Sequence, residues 1–298
     1  MAAFKATDNT IVLVTGINNT GVGFAIAQAL LTTPSHTKYT MILTARSLDR
    51  SKNAVELLKK GEGAEAALGV GGCEVVPMQV DIDDEESVEA FKHGLSERFG
   101  RLDVLINNAG MRLLPVCVPG DLYCSIGAHH DFALAAGKMT TREAFVSAFN
   151  TNVASTHLFT YSLIHLLLAS SSPRIIFITS GISSLGDHSN PHVPVNGSPA
   201  AGWPKPYVFN VMTYRTSKTA MNMMILEWCR ILKKDGVKIH IVDPGFLATT
   251  LGGGDAAMSR EKGAEEPIVG GRFIASVVEG KRDEDVGRMM SRTGVLPW

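Results

Sequence analysis

Wholly apolar β-type runs recur along this chain, each separated from the next by a helical pattern. Residues 11–15, 40–44, 73–80, 102–106, 174–179 and 237–242 read as strands. Residues 23–31, the stretch around Asn53-Ala54-Val55-Glu56-Leu57-Leu58, and residues 85–99, 142–168 and 212–233 read as helices. A strand that is apolar at every position offers no face to water, so its sheet must be covered on both sides. Strand–helix alternation with right-handed crossovers predicts an α/β fold, a doubly wound parallel sheet with helices on both faces. The sequence contains no internal repeat, linker or low-complexity tract, so residues 1–298 are expected to form a single domain.

Three stretches break the alternation. Residues 111–138 mix Gly, Pro and Cys without a period, and residues 181–210 carry five prolines: Pro191, Pro194, Pro199, Pro204 and Pro206. Residues 246–266 include Gly252-Gly253-Gly254 and a cluster of charges. Each follows a strand at its carboxyl end, the edge where open α/β sheets bind ligands. These insertions are expected to form the walls and lid of a substrate pocket.

Bulk chemistry removes several function classes. A net charge of −1 with 19% charged residues gives no electrostatic reason to expect nucleic acid or an anionic membrane as partner. The N-terminus runs into the first strand without an apolar leader. The most apolar short run, Leu163-Ile164-His165-Leu166-Leu167-Leu168-Ala169, is far below membrane-spanning length, so a cytoplasmic location is expected. Cys73, Cys117, Cys124 and Cys229 form no CxxC pair and are read as reduced thiols. His129, His130, His188 and His192 fall in the insertions and read as solvent-exposed, with no metal-ligand set evident.

Two local patterns carry chemistry. Thr15-Gly16-Ile17-Asn18-Asn19-Thr20-Gly21-Val22-Gly23 joins a strand to a helix, the context a dinucleotide-binding turn requires. Gly16 allows the tight turn, Gly21 lets the backbone approach phosphate, and Gly23 permits close helix packing, so backbone N–H groups at the helix start face a pyrophosphate. At the end of the second strand stands Arg46-Ser47 with no carboxylate. An acid there would bind the ribose 2′-hydroxyl of NAD, whereas an arginine accommodates the 2′-phosphate of NADP. The cofactor is therefore expected to be NADPH/NADP+. Far downstream, Tyr214-Arg215-Thr216-Ser217-Lys218 puts a phenol and an ammonium on one helix face. A nearby ammonium stabilises the phenolate, whose unperturbed pKa is about 10, and so equips Tyr214 as a proton relay.

These residues, together with Asn107-Asn108-Ala109-Gly110 after the fourth strand and Ser180 after an apolar strand, resemble the short-chain dehydrogenase/reductase family over nearly the whole chain. The family's TGxxxGxG appears here with four residues rather than three between Gly16 and Gly21. The resemblance implies a single-domain Rossmann-type fold and a cofactor site drawing on Gly16, Asn18, Gly21, Val22, Gly23, Arg46, Ser47, Asp81, Ile82, Asn108, Ala109 and Gly110. Asp81 matches the adenine-contacting acid, and Pro244, Gly245 and Thr249 match a PGxxxT segment that lines the nicotinamide side. It further implies that Tyr214 is general acid for reduction and general base for oxidation. Lys218 holds the nicotinamide ribose, Ser180 binds the substrate carbonyl oxygen, and Asn152 positions a water beside the lysine.

Ser180 is preferred to Thr179 because the family's serine is the second of this pair, and Ser183 and Ser184 are read as rim residues. Met221, Met223, Met224, Ile225 and Trp228 form a stripe read as core or subunit interface. The long Ser180-to-Tyr214 loop resembles the carbonyl-reductase branch, where such an insertion covers the face that otherwise dimerises, so monomer and homodimer both remain open. The C-terminal third resembles fungal members of the family, many of which act in specialised metabolism. Trp298 either caps a pocket of its own or another subunit, or frays. The expected activity is reduction of a small to medium-sized apolar ketone or aldehyde. Imine reduction, cyclisation at the same site, and non-catalytic cofactor sensing or scaffolding are the alternatives.

Overall fold

The computed structural model describes residues 8–33, 37–61, 68, 71–110, 131, 134, 137–203, 211–249 and 256–298. Its strands are β1 (Thr10–Val14), β2 (Tyr39–Ala45), β3 (Glu74–Gln79), β4 (Val104–Asn107), β5 (Arg174–Ile178), β6 (Lys238–Val242), β7 (Met289–Ser291) and β8 (Gly294–Val295). Its helices are α1 (Val22–Thr32), α2 (Leu48–Lys59), α3 (Glu85–Phe99), α4 (Thr141–Phe149), α5 (Thr156–Leu168), α6 (Met212–Ile231), α7 (Ala256–Glu261) and α8 (Pro267–Val278). The strands form one sheet in the order β3-β2-β1-β4-β5-β6-β7-β8. Every pairing is parallel except that of β7 with β8. Strand order reverses between β1 and β4, and a crevice opens at the carboxyl ends on either side of such a switch. The expected doubly wound α/β architecture is what the chain adopts.

Side-chain alternation along the strands supplies two cores. Val12 and Val14 of β1 face one layer with Ile26 and Leu30 of α1 and Ile274 of α8. Ile11 and Leu13 face the other, with Phe91 of α3, Phe159 and Leu163 of α5, and Ile225 and Trp228 of α6. Both faces are dry, which is why β2 is buried at every position. Pro77 lies in β3, an edge strand paired only with β2, where a missing N–H costs the ladder least. Glycine sets how near α1 comes to α8, because a Cβ on Gly271 would overlap the backbone carbonyl of Ala25.

Three expectations are corrected. The helix expected over residues 142–168 is interrupted: Asn150–Ser155 forms a π turn between α4 and α5. On its flank, Asn150 Nδ2 and Thr151 Oγ1 donate to the Asp83 carboxylate at 3.2 and 2.9 Å. The stretch 246–266 is not wholly loop, for it holds α7 and a parallel bridge between Leu247 and Glu265. Residues 250–255, with the glycine triplet, lie outside the described residues, as does most of the 111–138 insertion, including Cys117, Cys124, His129 and His130. Finally, α8, β7 and β8 had no counterpart in the periodicity reading. Two of them are only two or three residues long, too short to show a period.

Candidate active site

A cavity of about 810 Å³ runs along the carboxyl ends of the strands across the switch point. It lies within the usual range for small-molecule sites. One end is built from the β1–α1 turn and the ends of β2, β3 and β4. Gly16 has φ +69, and a Cβ there would approach Ala109 Cα to 2.6 Å. Only glycine satisfies both demands. The contact also explains the Asn108-Ala109-Gly110 segment, since Thr15 Oγ1 accepts the N–H groups of Asn108 and Ala109 at 3.0 and 2.8 Å. Asn108 Nδ2 donates back to the carbonyls of Thr15 and Gly16 at 2.8 and 3.3 Å. Gly23 leaves room for this brace, because a Cβ would meet Asn108 Nδ2 at 2.8 Å.

The longer turn closes on itself. Asn18 Oδ1 accepts from Thr20 N–H and Oγ1 at 3.0 and 3.2 Å, and the Asn18 carbonyl accepts Gly21 N–H at 3.2 Å. The extra residue is thus taken up within Asn18–Gly21, leaving Gly21 as the N-cap of α1 without a capping side chain. The first N–H groups of α1 are therefore open to an anionic ligand. Arg46, half-buried, and Arg50, exposed in the first turn of α2, both line the cavity and make no ion pair among the described residues. Arg50 escaped the sequence reading, although its four-residue offset from Arg46 was a usable signal. Asp81, Ile82 and Val22 also line this end, whereas Ser47 does not reach the cavity wall.

At the middle of the cavity stand the candidate catalytic groups. Tyr214 and Lys218 project from α6 side by side and are buried, at 7% exposure each. Ser180, at the end of β5, lines the cavity together with Tyr214. Burial pushes the Tyr214 phenol up to about 12; the neighbouring Ser180 hydroxyl opposes that rise and the nearby Asp243 carboxylate adds to it. Burial pulls the Lys218 ammonium down to about 8, and its Nζ donates to the Ile178 carbonyl at 2.9 Å. The π turn brings Asn152 within reach, so that its Nδ2 donates at 2.9 Å to Oγ of Ser217, the residue just before Lys218. Asn152 Oδ1 is buried without a partner in the structure, an open acceptor beside the site. Thr179, the rejected neighbour of Ser180, commits its hydroxyl to Asn222 Oδ1 at 2.6 Å.

Two carboxylates here were not legible beforehand. Asp131, in the 111–138 insertion, is 4% exposed and caps α6 from outside the helix. Its two oxygens accept the N–H groups of Thr213 and Tyr214 at 2.9 and 3.0 Å. Burial raises its pKa, which the bonds from Thr213 and Tyr214 partly offset. Asp243 sits between β6 and Pro244-Gly245, accepting Gly245 N–H at 3.2 Å, and burial raises its pKa too. Pro244, Gly245 and Thr249 line the same wall.

The far end is made of the 181–203 segment and the C-terminal strand. Ser183 and Ser184 are not rim residues but buried braces, at 2% and 4% exposure. Ser183 Oγ donates to the Ser180 carbonyl at 2.6 Å, and Ser184 Oγ accepts Asp187 N–H at 3.0 Å. His188 and His192 are exposed. Leu296 and Pro297 close the cavity, and the Trp298 carbonyl accepts the N–H of Gly186. Trp298 therefore packs against its own chain's loop. The methionine stripe divides: Met221, Ile225 and Trp228 are core, while Met223 is exposed.

Comparison with known proteins agrees with this geometry. Residues 10–198 match the family described as short chain dehydrogenase. The chain is 38% identical over 287 residues to the short-chain dehydrogenase/reductase tropE of Talaromyces stipitatus, covering 96% of this chain and 97% of that protein. It is 37% identical over 297 residues to the short-chain dehydrogenase/reductase eupG of a Phoma species, covering 97% of each. In fold it is similar to an alcohol dehydrogenase from the archaeon Thermococcus sibiricus, solved with 5-hydroxy-NADP. That likeness has TM-score 0.66 and 20% identity, and covers 95% of this chain and 96% of the other. With the glycine turn, the Asn-Asn-Ala-Gly brace and the tyrosine–lysine pair on one cavity, the chain belongs to the short-chain dehydrogenase/reductase family.

Proposed function

We propose that this oxidoreductase is an NADPH-dependent carbonyl reductase, a single domain reducing a small to medium-sized, largely apolar ketone or aldehyde to an alcohol. The observation that carries the reading is the convergence of Ser180, Tyr214 and Lys218 on one cavity that has Arg46 and Arg50 at one end. The residues fit a nicotinamide dinucleotide phosphate: open helix N–H groups for the pyrophosphate, the Arg46 and Arg50 guanidinium groups, without an ion pair among the described residues, for a 2′-phosphate, and the Asn152 acceptor on the same cavity as Lys218. NADPH, when bound, supplies the hydride.

The chain's own residues supply the rest. Ser180 Oγ and Tyr214 Oη hold the carbonyl oxygen and polarise its carbon. A phenol held near 12 is fully protonated at neutral pH, so Tyr214 is ready as proton donor in the reductive direction. As that proton leaves, the Lys218 ammonium stabilises the phenolate. Asn152 Oδ1 takes a bond from a water that returns a proton by way of Lys218. Ile178, Ile182, Val193, Val195, Leu247 and Leu296 make the substrate end apolar.

Consumption of NADPH by the purified protein with a panel of aryl and alkyl ketones tests the reading. Tyr214→Phe is expected to lower kcat by about 10²–10⁴-fold while leaving the NADPH dissociation constant unchanged. Undiminished turnover in that variant, or no turnover of any carbonyl by the parent protein, defeats it.

A further inference from the structure

Resting on that reading, we propose that Asp187 recognises a hydrogen-bond donor, a hydroxyl or an ammonium, carried by the carbonyl substrate away from its reacting carbon. Within the 181–203 segment Asp187 is the only charged side chain on the cavity wall, set among Ile182, Val193 and Val195. A carboxylate oxygen facing into such a cavity that meets a substrate donor discriminates against analogues lacking it.

Its position is held from several sides. Asp187 N–H donates to Ser184 Oγ at 3.0 Å, and the Asp187 carbonyl accepts Asn196 Nδ2 at 2.9 Å. One carboxylate oxygen, Oδ1, accepts Asn190 Nδ2 at 2.9 Å, which orients the group and leaves Oδ2 for a ligand. The loop that carries Asp187 is fastened to the catalytic helix by the residue next to Tyr214. Arg215 donates to the Ile182 and Val195 carbonyls at 2.7 and 3.3 Å and to Asn196 Oδ1 at 2.9 Å. Thr219, one turn on, donates to the Ser183 carbonyl at 2.7 Å. Asp187 and Tyr214 thus belong to one braced unit, and a substrate spanning them is held at two points. Such two-point attachment orients the carbonyl for reaction.

Three matched ketones test this: 4-hydroxyacetophenone, 4-(aminomethyl)acetophenone and 4-methylacetophenone, the last similar in shape but without a donor. Binding is measured by calorimetry on protein saturated with NADP+, so that the readout is independent of turnover. The two donor-bearing ketones are expected to bind about tenfold or more tightly than the methyl compound. Asp187→Leu should bring the three to within about twofold, with thermal midpoint and NADP+ affinity unchanged. Asp187→Asn should keep the hydroxyl preference and lose most of the ammonium preference, because an amide oxygen accepts but carries no charge. Arg215→Met, which frees the loop while retaining Asp187, should weaken both donor-bearing ketones and leave NADP+ affinity intact. Preference retained in Asp187→Leu, or no preference in the parent protein, overturns the assignment. Donor-dependent binding without NADPH turnover of any carbonyl would instead uphold Asp187 and defeat the reductase reading.

Discussion

At the Arg46 end of the cavity the walls are strand ends and the turns that follow them directly; at the Leu296 end they are loop segments fastened by side chains from distant parts of the chain. The first end is held by backbone groups and by Thr15 and Asn108, residues of adjoining strands. The second depends on Arg215, Thr219 and the Trp298 carbonyl, each reaching across from another element. Parallel-sheet geometry leaves little freedom in the first construction, so it suits a ligand shared by many proteins. The second can be changed one side chain at a time without disturbing the sheet, so it suits a ligand particular to this chain.

The sharpest way to break this contrast is at Arg46. Arg46→Asp should lower the preference for NADP(H) over NAD(H) by about ten- to a hundredfold, the range for losing a charge-assisted bond to phosphate. Carbonyl affinity in the presence of saturating cofactor should not change. Fluorescence titration with both cofactors reads the ratio, and an unmoved ratio would remove Arg46 as selector.

A pH profile probes the middle of the cavity. The proposed mechanism uses Lys218 as an ammonium, and burial has brought it to about 8, while Tyr214, at about 12, stays protonated over the same range. Reductive kcat/KM should be flat below pH 8 and fall about tenfold per unit above it, as free-enzyme ionisations govern this parameter. A profile flat to pH 10 would mean that the Lys218 charge is not required.

The smallest expected effect lies in the cap. Asp131→Ala removes the acceptor for two helix N–H groups and should cost about 1–2 kcal/mol in denaturant unfolding, with NADPH affinity unchanged. Should cofactor affinity fall in step with stability, the two ends would not be independent.

How much of this could be read in the sequence follows the same division. Tyr214 and Lys218 were legible because helical spacing alone sets them together, and Gly16 because one turn geometry demands it. Ser180 was legible from its place after an apolar strand. Asp131 was not, because the groups it caps lie 82 and 83 positions away and no local pattern encodes that distance. Arg215 stood in plain view within the tyrosine–lysine string, yet its neighbours in sequence say nothing of Ile182 or Asn196. Ser183 and Ser184 were misplaced for the same reason: a loop serine's burial depends on what packs over it. The break in the 142–168 helix was invisible because one widened turn leaves the apolar pattern on either side intact, and its partner Asp83 lies 67 and 68 positions from Asn150 and Thr151.

That π turn has a further consequence. An α-helix rotates about 100° per residue, so the widened turn at Asn150–Ser155 sets the angular phase of everything around it. Remove one residue there and α4 runs straight into α5, swinging the Asn152 amide a quarter-turn or more from Ser217 with every site residue still present. The placement of Asn152 against α6 is therefore encoded partly in a count of residues, and alignment by residue type alone would miss a length change that dismantles it.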